Sequence, residues 1–311
     1  MRRAASPVRV GGNDALHTAS LPMPETRIIA GLREIADQFD VVFMDLWGCV
    51  HDGVKPYPLA HDCLQRLKAA GKTVAILSNA PRRSSEVSAR LSEMGIDRSL
   101  YSDLFASGEE TWRYLKTRPD GLAQRLGRRV YAVMPERDRG ILDGLDLELV
   151  DDVGAASFLL VTGIEDEKVQ VSDFDAVLKP AARANLPMVC ANPDLIVHRG
   201  GIEEICAGSI AERYERLGGR VVYHGKPHAK IYEIIFKSLG LEDRSRAIGV
   251  GDSYRTDVRG ARDVGAHSVL IAGGIHRSEL LRSGKLDGGQ LMVLARKLDV
   301  IPDFGLAQLA W

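Results

Sequence analysis

Val41-Val42-Phe43-Met44-Asp45-Leu46-Trp47-Gly48 begins with four apolar residues that do not alternate with polar ones, then turns on an acid and a glycine. A strand without alternation is buried on both faces, the mark of a parallel sheet covered by helices. The pattern recurs along the chain. Thr73 to Leu77 leads into Ser78-Asn79, Arg220 to Tyr223 into Gly225-Lys226-Pro227, and Ala247 to Val250 into Gly251-Asp252-Ser253. Ser268 to Ile271 is a further run of this kind. Helical patterns lie between them. Leu59, Cys63, Leu67 and Ala70 fall at helical spacing, and Gly71 ends that helix. Residues 84–94, 108–117, 229–239 and 256–264 read as helices too. Strands alternating with helices predict an α/β fold around a parallel sheet.

The middle of the chain keeps this rhythm on a smaller scale. Val130 to Val133, Phe158 to Thr162 and Met188 to Ala191 read as strands, with helices near 136–144, 171–184 and 207–217. The simplest parse is a core from residues 23–125 and 220–311, with a smaller α/β domain inserted at 126–219. Residues 1–22 show no periodicity and are expected to be a disordered tail.

Composition narrows the partners. With 311 residues, 45% hydrophobic and 27% charged, the chain fits an ordinary globular protein of two domains. A formal net charge of −1 gives no case for nucleic acid or an anionic membrane surface. No apolar stretch reaches the roughly 18 residues that a membrane span needs. Cys49, Cys63, Cys190 and Cys206 form no C-x-x-C pair and no zinc pattern, so they are expected to be reduced thiols in a cytoplasmic protein. Composition leaves the oligomeric state open, a homo-oligomer included.

The polar residues at the strand ends carry the chemistry. In open α/β sheets ligands bind beyond the carboxyl ends of the strands. Asp45 there can be a nucleophile or a metal ligand. Ser78 and Asn79 offer a hydroxyl and an amide to a phosphoryl oxygen. Lys226, between Gly225 and Pro227, can neutralise a nucleophile and a transferring phosphoryl group. Asp252 and Asp257, five residues apart on one loop, suit a hard cation such as Mg²⁺.

In order and spacing these segments resemble the haloacid dehalogenase (HAD) superfamily of hydrolases. More narrowly they resemble subfamily IIA, related to the NagD phosphatases and pyridoxal phosphatase. The residues that carry the resemblance are Asp45-Leu46-Trp47-Gly48-Cys49-Val50, Ser78-Asn79-Ala80, Gly225-Lys226-Pro227-His228 and Gly251 to Asp257, with Ala191-Asn192-Pro193-Asp194 in the insertion. The resemblance implies a Rossmann-like core with an inserted C2-type α/β cap. It implies that Asp45 forms an aspartyl-phosphate, Ser78 binds the phosphoryl group and Lys226 offsets charge. It further implies Mg²⁺ held by Asp45, Asp252 and the backbone carbonyl of Trp47, with Asp257 in support. Substrate choice is expected in the cap, from Asn192, Asp194, His198 and Arg199, and Arg82 and Arg83 could assist an anionic substrate.

The chain departs from the family at one position. Family phosphatases hold Asp where Trp47 stands, to protonate the leaving oxygen and then activate water, and an indole cannot exchange that proton. Three readings stay open. Another group, such as His51, Asp52, Asp194, His198 or His228, takes the role. Alternatively, the reaction needs no acid, as in C–halogen cleavage. In the third reading the protein binds a phosphorylated ligand with little turnover. The expectation is a Mg²⁺-dependent phosphatase acting on a small phosphate ester.

Overall fold

The computed structural model describes residues 25–164, 169–200 and 202–311. The expected tail at 1–22 lies outside the described residues. Four strands open the chain: β1 (Arg27–Ile28), β2 (Val41–Met44), β3 (Thr73–Ser78) and β4 (Asp103–Ala106). The middle segment adds β5 (Arg129–Val133), β6 (Glu148–Leu149), β7 (Phe158–Val161), β8 (Pro187–Cys190), β9 (Ile196–Arg199), β10 (Ile202–Ile205) and β11 (Arg220–Tyr223). The chain closes with β12 (Ala247–Gly251), β13 (His267–Ile271), the short hairpin β14 (Leu281–Arg282) and β15 (Lys285–Leu286), and β16 (Phe304–Leu306).

The core sheet runs β1-β16-β13-β12-β2-β3-β4, and every pairing in it is parallel. Strand β2 is buried along its whole length, and its residues divide by parity. Val42 and Met44 pack with Leu64 and Leu67 of the helix Ala60–Ala69 on one face. Val41 and Phe43 pack with Ile231, Tyr232 and Phe236 of the helix Ala229–Leu239 on the other. The Phe43 ring meets Tyr232 and Phe236 edge-on at 5.8 and 5.6 Å. Two helix layers on one sheet explain why the strand lacks a polar face. Connections run outward from β2 toward β4 and from β12 toward β16. The direction therefore reverses between β2 and β12, where a crevice opens at the carboxyl ends.

The second sheet, β11-β8-β7-β5-β6, is also parallel throughout. It corrects the expected division of the chain at both ends. Arg220–Tyr223, expected in the core, pairs with Pro187–Cys190 in this second sheet. Tyr114 and Leu115 of the helix Ser107–Thr117, also assigned to the core, pack with Phe158, Leu160 and Val189 of the second sheet. The inserted unit thus takes in residues on both sides of 126–219, because pairing and apolar contact, not position in the chain, decide membership. The hairpin β9–β10 is antiparallel and stands apart from both sheets. All four cysteines are buried and unpaired.

Candidate active site

The carboxyl ends of β2, β3 and β12, with the segment after β11, deliver six polar groups to one buried place. Asp45 follows β2 and its N–H donates to the Val250 carbonyl of β12 at 2.9 Å. The Lys226 Nζ donates to Asp45 Oδ1 at 2.5 Å and to Asp257 Oδ1 at 2.6 Å. Asn79 positions the lysine: its Oδ1 accepts the Lys226 N–H at 2.8 Å, and its Nδ2 donates to the Lys226 carbonyl at 3.1 Å. The Gly225 N–H donates to Glu110 Oε2 at 2.9 Å, which holds the same loop from the other side. Ser78 Oγ accepts the Ala80 N–H at 3.2 Å. Asp45, Ser78, Asn79, Lys226, Asp252 and Asp257 are all buried.

Charge in this cluster does not balance. Asp45, Asp252 and Asp257 each offer an oxygen within 4.8 Å of the others, and among the described residues Lys226 is the single ammonium bonded to them. Burial pushes the Asp45 carboxyl up to about 8 despite the pull of Lys226, and burial with the charge of Asp45 pushes Asp252 up as well. Lys226 goes the other way. Burial would lower it, but the carboxylates of Asp257 and Asp45 hold it well above its ordinary value.

The oxygens left over fit a cation. Both oxygens of Asp257 are engaged, by Lys226 and by the Ser253 N–H at 3.1 Å. Asp252 Oδ2 accepts the Ile275 N–H at 2.7 Å. Asp45 Oδ2, Asp252 Oδ1 and the Trp47 carbonyl accept no hydrogen bond from any described residue. An all-oxygen, net negative set of this kind suits Mg²⁺. Gly48 lets the turn lie this close to Asp252: its φ is +77°, and a Cβ there would sit 1.8 Å from Asp252 Oδ2.

Trp47 faces the inserted unit instead. Its Nε1–H donates to the His198 carbonyl of β9 at 2.9 Å, and the Arg199 guanidinium lies 4.8 Å from the ring centroid. The Gly200 N–H donates to the Asp52 carbonyl at 3.1 Å, so the hairpin tip meets the turn twice. Arg199 in turn donates to Glu204 of β10 at 2.7 Å.

The other groups named from sequence are spread more widely. Asp194 accepts from Asn79 Nδ2 at 2.9 Å and so reaches the buried cluster. Asn192 accepts the Asp194 N–H of its own loop at 3.0 Å. Arg82 and Arg83 pair with Asp138 and Glu109 at 2.9 and 2.7 Å. His51 is buried, which lowers its pKa to about 4, and its Nδ1 accepts the Gly53 N–H, so it is a neutral ring. His228 stacks on Tyr223 at 5.2 Å beside a separate cavity. His198 lines the larger cavity, about 660 Å³, together with Trp47 and Asp252. Sequence reasoning missed the β9–β10 hairpin, although Gly200-Gly201 between two short runs is a hairpin signal. It also missed Tyr57 and Arg277 in the cavity wall, which no local motif marks.

Comparison with known proteins gives the chain's relatives. The family described as haloacid dehalogenase-like hydrolase matches residues 42–148, and one described as HAD-hydrolase-like matches residues 223–294. A crystal structure of a haloacid dehalogenase-like family hydrolase from Brucella suis 1330 is 34% identical, covers 91% of this chain and 100% of its own, and superposes with a TM-score of 0.77. Chronophin from Mus musculus is 26% identical over 300 residues, covering 90% of this chain and 94% of its own. A 4-nitrophenylphosphatase from Schizosaccharomyces pombe is 25% identical over 297 residues, covering 89% and 94%.

Proposed function

This chain belongs to the haloacid dehalogenase-like hydrolase family, in its NagD-like branch, and we propose accordingly that it is a Mg²⁺-dependent phosphatase of a small phosphate ester, acting in the cytoplasm through an aspartyl-phosphate on Asp45. The observation that carries this reading is the buried cluster of Asp45, Asp252 and Asp257 around one lysine, with oxygens left open on Asp45, Asp252 and the Trp47 carbonyl. Those three groups would hold Mg²⁺ with Asp257 behind them, and the ion would supply positive charge against the cluster and the phosphoryl oxygens.

The chain's own residues account for the rest. A carboxylate oxygen of Asp45 attacks phosphorus, the ester P–O bond breaks, and the phosphoryl group passes to Asp45. Water then takes it as inorganic phosphate and restores the carboxylate. Lys226, fixed by Asn79, keeps an ammonium beside Asp45 through both steps. The Ser78 hydroxyl already accepts from Ala80, so its own hydrogen is available to a phosphoryl oxygen. Trp47 supplies no proton to the leaving oxygen, so esters with stable leaving groups are favoured.

Phosphate release from 4-nitrophenyl phosphate, with and without Mg²⁺, tests the reading. Wild type turns over with Mg²⁺, Asp45→Asn falls by about 10⁴-fold or more, and mass spectrometry of acid-quenched enzyme finds the phosphoryl adduct on Asp45. The Trp47–His198 bond favours a second reading, a phosphate-ester binder with little turnover. That reading prevails if the ester raises the melting temperature while no phosphate is released. The carboxylate cluster argues against C–halogen cleavage without metal, and halide release in chelator would reverse that judgement.

A further inference from the structure

The cavity of about 660 Å³ opens beside Asp252 and is walled by Trp47, Tyr57, His198, Leu281 and Arg277. Trp47 stands two residues beyond Asp45 on the turn that receives the phosphoryl group. Arg277 is the cation in its lining, and its position is tied to the reacting centre. The Ile275 N–H donates to Asp252 Oδ2 at 2.7 Å, and the Arg277 N–H donates to the Gly274 carbonyl at 3.0 Å. Gly274 permits that approach, since a Cβ there would lie 1.9 Å from Asp252 Oδ2.

Among the described residues the guanidinium has no acid of its own. Glu279, two residues on, is bonded to His276 at 2.9 Å. Asp52 Oδ1 accepts the N–H groups of Val54 and Lys55 at 2.9 and 2.8 Å. Asp252 Oδ2 accepts the Ile275 N–H at 2.7 Å, and its Oδ1 is one of the oxygens that would hold a cation. Arg277 is exposed, and no described residue accepts a hydrogen bond or ion pair from its side chain. Burial, with Asp252 adding to it and Arg277 opposing it, pushes the Tyr57 phenol up to about 12, so the same wall also holds a neutral hydroxyl donor. A fork of N–H donors beside a phenol, over an indole and a leucine, matches a flat or short organic group ending in a carboxylate-like oxyanion.

We infer that this cavity receives the alcohol half of the ester, and that Arg277 selects substrates whose alcohol half carries a second anionic group. The inference rests on the phosphatase reading above and names the substrate class for that site.

Two esters test it: 4-nitrophenyl phosphate and 3-carboxy-4-nitrophenyl phosphate, which share an activated leaving group and differ by one carboxylate. Wild type should prefer the carboxylated ester about tenfold or more in kcat/KM, mainly through KM. Arg277→Ala should collapse that ratio to near one, Arg277→Glu should invert it, and Arg277→Lys should restore part of it. Melting temperatures of Asp45→Asn with Mg²⁺ and each ester give a readout without turnover, and there too Arg277→Ala should erase the difference between the esters. Equal handling of the two esters by wild type overturns the inference and leaves the phosphatase reading standing. Arg277→Ala lowering both esters equally does the same. A stabilisation difference that depends on Arg277, in a protein that never releases phosphate, keeps the pocket and overturns the phosphatase reading.

Discussion

Asp45 and Trp47 stand two residues apart on one turn, yet opposite halves of the molecule hold them. Asp45 is bonded to Lys226 and, through its N–H, to β12 of the core sheet. Trp47 is bonded to the backbone of β9 and stacked under Arg199, both from the inserted unit. The Asp45 side is buried, ionic and held by several strand ends at once. On the Trp47 side the contact is half-buried, rests on two hydrogen bonds and one stack, and ends on a two-stranded hairpin. On the proposed reading the chemistry lies on the side held by several strand ends, and the contact with the inserted unit lies on the side held by fewer.

The first way to break this contrast is at Lys226. Lys226→Ala strips the ammonium from Asp45 and Asp257 and leaves buried carboxylates uncompensated. The cost expected in metal-free protein at neutral pH is about 3–5 kcal/mol, read from the urea midpoint, and it should shrink in acid as the carboxyls protonate. A loss under about 1 kcal/mol would mean that the core side is no more tightly held than a surface pair.

The pH dependence of the metal-free protein sharpens the same point. The Asp45 carboxyl rises from its ordinary 3.8 to about 8 in the folded chain, so between those values the folded state binds more protons than the unfolded one. Its contribution is full below about pH 4 and is lost as pH rises through about 8. Mg²⁺ competes with those protons, so its stabilising effect should grow with pH. At a hundredfold excess over Kd it should restore about 2.7 kcal/mol. Denaturation curves at several pH values, with and without Mg²⁺, check this. An Mg²⁺ effect of equal size in Asp252→Asn would place the ion elsewhere.

Much of the core half was readable in the sequence, because an apolar run without alternation followed by a polar residue marks a buried strand end. Val41–Met44 agrees with its expected bounds, and Ala247–Gly251 ends one residue later than expected. Which sheet a strand joins was not readable. Arg220–Tyr223 looks like any other parallel strand, and only its partner, Pro187–Cys190, assigns it to the second sheet. The choice between Asp45 Oδ2 and Oδ1 as the open oxygen depends on where Lys226 ends up, 181 positions away. Arg277 owes its place to the Ile275 N–H bond to the Asp252 carboxylate and to its own N–H bond to the Gly274 carbonyl, which no periodicity reveals.

Trp47 itself can be split into its two roles. Trp47→Asp installs a carboxyl group that can protonate the leaving oxygen but removes the indole contact with β9. Turnover of phenyl phosphate relative to 4-nitrophenyl phosphate should rise about 10- to 100-fold, at the low end of what a positioned acid contributes. Trp47→Phe keeps a ring and removes only the Nε1–H bond to His198, which is worth about 1 kcal/mol. The ratio of the two esters should then stay as in wild type. If Phe and Asp raise that ratio alike, release of the hairpin rather than proton donation explains the gain.

The smallest effect is expected at Arg199. Arg199→Ala removes the stack on Trp47 and the bond to Glu204, but the Trp47 bond to the His198 carbonyl does not involve that side chain and persists. The Arg199 side chain is 32% exposed and that of Glu204 11%, so water already screens part of the pair. The combined loss should be about 0.5–1 kcal/mol. Amide exchange in β9 and β10 should therefore quicken by up to about fivefold, while β12 stays protected. An equal rise in β12 would show that the hairpin and the core open together, and the two sides of the turn would then be one cooperative unit. Exchange confined to the hairpin means that recognition can loosen without disturbing the cluster around Asp45. Substitutions at the hairpin should then change substrate choice at little cost to the chemistry.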